Sequence, residues 1–73
     1  MNNSYCGKTV GKRIRNAMEY EKLNQRELSE KAGISLSMLN RYINDAKVPS
    51  VKYASKIGKV LGLSADYILY GTV

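Results

Sequence analysis

The stretch LNQRELSEKAGISLSMLNRYIN, residues 23–44, decides the fold of this 73-residue chain. Its first part predicts a helix over Gln25–Ala32. Asn24 is a good N-cap, and Glu27 three residues later gives the spacing of a capping box, although Asn replaces the usual Ser or Thr. Such a pair satisfies two of the backbone donors that the start of a helix leaves unpaired, so the helix has a defined beginning.

A turn and a second helix follow at once. Gly33 is suited to end the first helix, because glycine adopts the left-handed backbone conformation without strain. Ser35 is an N-cap for a helix that runs from Leu36 to about Ile43. The expected buried residues of that helix are Leu39, Tyr42 and Ile43. The stretch therefore predicts two short helices joined by a three-residue turn.

Three further helices are expected on either side. Thr9 is a plausible N-cap for a helix over about Val10–Lys22, and serines precede helices over Val51–Leu61 and Ala65–Tyr70. No segment alternates between apolar and polar residues as a strand does. The predicted fold class is all-α, a compact domain of five helices.

The predicted organisation is a flexible N-terminal tail, one domain and a short C-terminal end. These parts cover residues 1–8, 9–71 and 72–73. Within the domain, Asn44 and Asp45 are expected to stop the third helix, because both tolerate left-handed backbone. Gly58 lies inside the fourth helix, where glycine is unfavourable, and is expected to permit a close approach.

Composition restricts the class of function. Twelve Lys and Arg against six Asp and Glu give a formal net charge of +6. A small basic domain attracts polyanions, nucleic acid first and anionic membrane second. There is no His, and Cys6 is the single cysteine, so neither a zinc site nor a disulfide framework is expected. We expect no metal, no cofactor and no enzyme activity.

Targeting signals are also missing from the sequence. No apolar run approaches the roughly 20 residues of a membrane span, and the first fifteen residues lack the apolar core of a signal peptide. The expected location is the cytoplasm, with no membrane partner.

Several blocks of the sequence, in order, resemble the XRE family, the Cro- and repressor-like helix-turn-helix proteins of phages and bacteria. The blocks are GKRI at 11–14, LNQRELSEKAGIS at 23–35, NDAKVPS at 44–50 and KIGKVLGLSADYILYG at 56–71. The resemblance covers about Thr9 to Gly71. It implies a phage-repressor-like domain whose third helix lies in the major groove of DNA, which is wide enough to admit a helix.

The resemblance also implies two sets of DNA-binding residues. The base-reading set is Ser35, Leu36, Ser37, Asn40 and Arg41. The phosphate-contacting set is Arg13, Asn24, Gln25 and Lys47. Arg41 could pair with guanine, Asn40 with adenine and Leu36 with a thymine methyl group. Gln25 begins a helix, where the dipole and free amides favour a phosphate.

Two positions depart from the family pattern together. Many relatives hold an interior Arg and Glu pair where this chain has Met18 and Ile43. Replacing a buried ion pair by a packed apolar pair is often neutral or stabilising. We therefore expect Met18 and Ile43 to touch.

Two functions remain open on the sequence. The first is a sequence-specific, Cro-like transcriptional regulator that occupies an operator as a homodimer on two-fold symmetric double-stranded DNA. The dimer contacts that the resemblance implies are Val48, Pro49, Leu63 and Tyr67. The alternative is an antirepressor or modulator that binds a partner repressor protein through its helix-turn-helix surface, with Leu36 and Met38 as contacts. The effect of Leu36→Ala on DNA binding and on partner binding separates the two.

Overall fold

Five helices follow one another in a computed structural model of the protein, which describes residues 7–71. They are α1 (Gly7–Glu21), α2 (Gln25–Ala32), α3 (Leu36–Asn44), α4 (Val51–Leu61) and α5 (Ala65–Tyr70). No strand occurs within those residues. The all-α, five-helix prediction is confirmed.

Side-chain caps begin four of these helices where the sequence predicts them. Asn24 and Glu27 form the full capping box, with the Asn24 Oδ1 accepting from the Glu27 amide at 2.7 Å and the Glu27 Oε1 accepting from the Asn24 amide at 2.9 Å. Ser35, Ser50 and Ser64 each accept the backbone N–H three residues on, at 3.0 to 3.2 Å. These local bonds set the starts of α2 to α5.

The first helix is longer at its start than the sequence predicts. Gly7 and Lys8, assigned to the tail, are helical, and Thr9 lies inside α1 and is not its N-cap. These residues carry no apolar periodicity, so the pattern marked only the part of α1 that packs. At the other end, Lys22 takes φ 59°, so α1 stops at Glu21. Residues 1–6 of the predicted tail and residues 72–73 lie outside the described residues.

The end of α3 also differs from the prediction. Asn44 is the last residue of the helix, and Asp45 has φ −108° and ψ 15°, which is not left-handed. The left-handed residue is Ala46, at φ 59°. The amides of Asp45 and Lys47 both bond to the carbonyl oxygen of Arg41, at 2.9 and 3.3 Å, and this closure puts the left-handed residue between them.

The core is one cluster of buried side chains. It consists of Val10, Ile14, Met18, Leu28, Ile34, Leu39, Tyr42, Ile43, Ala54, Ile57, Leu61, Ile68 and Leu69. The most extensive helix pairing is α1 against α3. Met18 and Ile43 are each 7% exposed and belong to this cluster, one on each of those helices. Their direct contact stays a prediction.

Two glycines mark close backbone approaches. A Cβ on Gly58 would overlap the carbonyl oxygen of Leu63, in the turn that joins α4 to α5. A Cβ on Gly11 would lie 2.7 Å from the carbonyl oxygens of both Tyr42 and Ile43. Gly58 thus permits the close approach that the sequence predicts, and Gly11 lets α1 abut the last turn of α3.

Burial also affects Tyr42, which is 2% exposed. Its ring lies 6.3 Å from that of Tyr53 between centroids. Burial, together with the nearby Tyr53 hydroxyl, raises the pKa of Tyr42 above its ordinary value.

None of the helices in the described part of the chain combines the length and the apolar character needed to cross a membrane.

Candidate nucleic-acid interface

The outward face of α3 carries the five residues predicted to read bases. Leu39, Tyr42 and Ile43 are buried, so the opposite side of α3 faces away from the core. Ser35, Leu36, Ser37, Asn40 and Arg41 are all exposed. Leu36 is an exposed large apolar side chain, 38% accessible. The structure therefore brings this set together on one accessible surface.

The start of α2 joins this surface through one hydrogen bond. The Asn40 Nδ2 group donates to the Gln25 Oε1 atom at 3.2 Å. The bond occupies one N–H of Asn40 and leaves its Oδ1 atom and second N–H unused. It also leaves the Nε2 group of Gln25 to donate elsewhere. A residue predicted to read bases and a residue predicted to contact phosphate are thus physically linked.

The amides at the start of α2 are partly occupied. The capping box uses the N–H groups of Asn24 and Glu27. The N–H groups of Gln25 and Arg26 have no intrahelical partner in this geometry, so they remain as the donors that a helix start offers to an anion. Asn24 is exposed beside them, with its Nδ2 group not engaged in the capping box.

Lys47 and Arg13, the other two residues predicted to contact phosphate, lie in different surroundings. Lys47 is exposed in the loop after α3. Arg13 is half-buried and donates from Nη1 to the carbonyl oxygen of Ile68 at 2.9 Å. Its guanidinium also lies against Gly71, where a Cβ would be 2.8 Å from Nη2. Arg13 therefore binds the end of α5, and its contact with phosphate stays a prediction. The sequence shows that Arg13 is charged, but it does not indicate which carbonyl group accepts its hydrogen bond.

Arg15 is a residue that the sequence reasoning missed. Its Nη2 group donates to the Asn44 Oδ1 atom at 2.6 Å and to the Ile43 carbonyl oxygen at 3.4 Å. In the sequence it belongs to a basic run, and no local signal connects it with a residue 29 positions later. Asn44 is itself exposed on α3.

The four residues expected at a dimer contact divide into two places. Val48 is half-buried and Pro49 buried in the loop between α3 and α4. Leu63 and Tyr67 are half-buried and line an open groove of about 440 Å³ between α1 and the α4–α5 turn. Val48 and Pro49 do not line that groove. Within residues 7–71, no group of three His, Cys, Asp or Glu side chains is arranged to hold a metal ion.

Comparison with protein families gives one match. A family model described as helix-turn-helix matches residues 14–68, more than half of the chain. This range contains α2, the turn and α3. A comparison with curated protein sequences gives no significant match.

Solved structures of DNA-binding proteins resemble this fold. The N-terminal DNA-binding domain of SinR from Bacillus subtilis is 29% identical with a TM-score of 0.79, over 84% of this chain and 90% of that one. The P22 c2 repressor in complex with a synthetic operator is 27% identical with a TM-score of 0.78, over 86% and 96%. SinR in its complex with SinI is 30% identical with a TM-score of 0.77, over 82% of this chain. The present chain spans 59% of that SinR chain.

Proposed function

Because the chain belongs to the XRE-type helix-turn-helix family of DNA-binding regulators, we propose that it is a sequence-specific transcriptional regulator. It acts in a Cro-like manner, by occupying an operator with α3 in the major groove, and it works in the cytoplasm. P22 c2 repressor is solved with a synthetic operator and SinR with DNA, and their similarity supports the same class of ligand here.

The observation that carries this proposal is the hydrogen bond between Asn40 and Gln25. With one N–H held by Gln25, Asn40 still offers an acceptor and a donor side by side, which is the pair that adenine's N6 and N7 edge requires. Gln25 has its Nε2 group left for a phosphate oxygen at the start of α2. The bond therefore links a residue proposed to read a base to one proposed to contact phosphate, and phosphate contacts of this kind fix the position of the recognition helix on DNA.

The other residues of the face divide the remaining contacts. Arg41 is exposed and presents the bidentate donors that match guanine O6 and N7. Leu36 supplies an apolar contact for a thymine methyl group. The Ser35 hydroxyl accepts the Met38 amide, so its proton remains to donate to an acceptor on DNA. Ser37 adds a second small hydroxyl beside them.

The protein acts as a homodimer on DNA. One α3 contacts too few base pairs for high specificity, and two copies read half-sites about one helical turn apart. The contacts assigned to the dimer are Val48, Pro49, Leu63 and Tyr67. The half-buried state of Leu63 and Tyr67 beside an open groove supports this, because apolar surface remains there for a second copy to cover.

One observation favours the alternative, a modulator that binds a partner repressor. Leu36 is apolar and exposed at the start of α3, where a protein partner would also cover it. Leu36→Ala separates the two functions. If Leu36→Ala weakens DNA binding and reduces the preference for thymine at one position of the site, the result supports the regulator. If its DNA affinity is unchanged, the result favours the partner-binding role.

The test is a selection of bound sites from a random duplex library by the purified protein, followed by a salt titration on the selected duplex. We expect a two-fold symmetric site and an affinity that falls steeply with salt, since phosphate contacts release counterions. Arg41→Ala is expected to lose roughly 10-fold to 100-fold in affinity for that site. Lys59→Ala, an exposed cation on α4, is the matched control and should lose much less. If the selection enriches no sequence at all, the proposal is overturned.

A further inference from the structure

The last turn of α3 is held partly by its own backbone and partly by α1. The carbonyl oxygen of Arg41 accepts the amide of Asp45 at 2.9 Å. The next two carbonyl groups, of Tyr42 and Ile43, lie against α1, where a Cβ on Gly11 would be 2.7 Å from both oxygens. The end of a helix leaves such carbonyl groups without intrahelical donors. Donors from α1 are therefore well placed to complete this turn.

Arg15, four residues after Gly11, supplies a donor to one of these groups, the Ile43 carbonyl. Its Nη2 group donates to Asn44 Oδ1 at 2.6 Å and approaches the Ile43 carbonyl oxygen at 3.4 Å. Because a guanidinium only donates, the contact determines which amide atom of Asn44 is engaged. The Nδ2 group of Asn44 is left as a donor for another molecule. A cation at this position also interacts favourably with the negative end of the α3 dipole.

The rest of the α1–α3 contact is apolar. Ile14, Met18 and Ile43 are buried in the common core. Apolar burial is non-directional and does not by itself orient a side chain on the surface. The bond from Arg15 is directional, so it adds an orientation that the buried contact lacks.

Each of the two exposed asparagine side chains of α3 is therefore hydrogen-bonded to a neighbouring helix. Asn40 donates to Gln25 of α2, and Asn44, one turn later, accepts from Arg15 of α1. We propose that Arg15 is a positioning residue for DNA reading. It orients Asn44 and the last turn of α3, where Arg41 also lies, and does not itself contact DNA. This inference rests on the proposed function, since it requires that α3 reads DNA.

The test uses Arg15→Met, which keeps much of the aliphatic stem and removes the donors. Lys12→Met is the matched control, because Lys12 is an exposed cation on the same helix and the change in charge is identical. Asn44→Ala and the double variant complete a double-mutant cycle. The probes are the duplex recovered by the random-library selection and a shuffled duplex of the same length and composition.

We expect Arg15→Met to weaken binding to the selected duplex about fivefold, the size of one net hydrogen bond. Binding to the shuffled duplex and the salt dependence should match those of Lys12→Met. In the Asn44→Ala background, the further loss from Arg15→Met should be smaller than in the unaltered protein, since one of its two acceptors is already missing. A purely structural role would not make the loss depend on Asn44 and on the DNA sequence.

Two results would overturn the inference. One is an equal loss on both duplexes with a salt slope reduced by about 0.9 relative to Lys12→Met, which identifies a phosphate contact. The other is a loss that multiplies fully with that of Asn44→Ala. If Arg15→Met does not fold, Arg15→Ala takes its place, since it also removes the donors and one positive charge, and the same results support or overturn the inference.

Failure of the proposed function gives a different pattern, in which the unaltered protein selects no sequence. Amide hydrogen exchange then tests the contact itself. Faster exchange of the Asp45 amide in Arg15→Met than in Lys12→Met supports the role of Arg15 at the end of α3, and equal exchange overturns it.

Discussion

The C-terminal ends of α3 and α5 both meet an arginine of α1, but their own caps differ. Arg15 reaches the Ile43 carbonyl oxygen of α3, and Arg13 reaches the Ile68 carbonyl oxygen of α5. After α5, Gly71 takes the left-handed conformation at φ 74°. After α3, the left-handed residue is Ala46 at φ 59°, where a Cβ is unfavourable.

The difference shows that one helix completes the ends of two others that are capped in different ways. The end of α5 combines a glycine cap with a hydrogen bond from Arg13. The end of α3 has a left-handed alanine after it, and Arg15 of α1 donates to its last turn. The outward face of α3 stays accessible. Two arginines two positions apart on α1 therefore bind the ends of two different helices, one of which carries the residues predicted to read bases.

The largest expected effect is at the contact of α1 with α3. Gly11→Ala places a Cβ 2.7 Å from two backbone oxygens, which cannot move aside as a flexible side chain does. We expect the free energy of unfolding to fall by about 2 kcal/mol, despite the better helix propensity of alanine. Urea denaturation measures this. Asn16→Ala, exposed on the same helix, should stay within about 0.5 kcal/mol, and a Gly11→Ala variant as stable as this control would refute the close approach.

The two caps should respond to substitution with opposite signs. Gly71→Ala introduces a Cβ at φ 74° and against Arg13, so we expect a loss of about 1 kcal/mol. Ala46→Gly relieves left-handed strain and should gain about 0.5 kcal/mol, after the greater freedom of glycine in the unfolded chain is counted. Thermal unfolding of the two variants is the measurement. A loss of stability for Ala46→Gly would remove the contrast between the two ends.

Arg13→Met sharpens the comparison between the two arginines. Its bond to Ile68 is half-buried, so we expect a fall in stability of about 0.5 kcal/mol, at the low end for a hydrogen bond. The salt slope of binding to the selected duplex should equal that of Lys12→Met. A slope reduced by a further 0.9 or so would instead support the phosphate contact that the sequence predicts for Arg13.

The smallest expected effect is on the pH dependence of stability, through Tyr42 in the last turn of α3. Burial raises the pKa of Tyr42, so the folded protein keeps this proton more tightly than the unfolded chain does. The associated stability is present below the ordinary tyrosine pKa of about 10 and is lost as pH rises through the folded value. Tyr42→Phe should lose less stability than the unaltered protein between pH 8 and pH 11 in urea titrations. Identical losses would contradict the raised pKa.

Local chemistry made most of the fold predictable from the sequence. Asn24 and Ser35 act on amides three residues away, so a short window contains both partners of each cap. The apolar spacing of α3 likewise identified its buried face. The exposed face of α3, and with it the base-reading set, followed from that spacing and from the family resemblance.

Contacts between distant residues were not predictable in the same way. Arg13 and Arg15 have similar sequence surroundings, yet their acceptors lie 55 and 29 positions away. Which carbonyl group each satisfies depends on how α1 packs, and the charge pattern contains no information on that. The left-handed Ala46 was missed for a related reason, because the hydrogen-bond closure after α3 and not residue preference selects the position.

The central claim is that the outward face of α3 and the start of α2 form the DNA surface, while α1 and α5 lie behind it. The most direct test is the change in backbone amide NMR shifts when the selected duplex is added to the labelled protein. The account predicts the largest changes at Gln25, at residues 35–41 and at Lys47, with small changes at Arg13 and at 65–71. Changes concentrated on the groove beside Leu63 and Tyr67, with α3 unaffected, would contradict it.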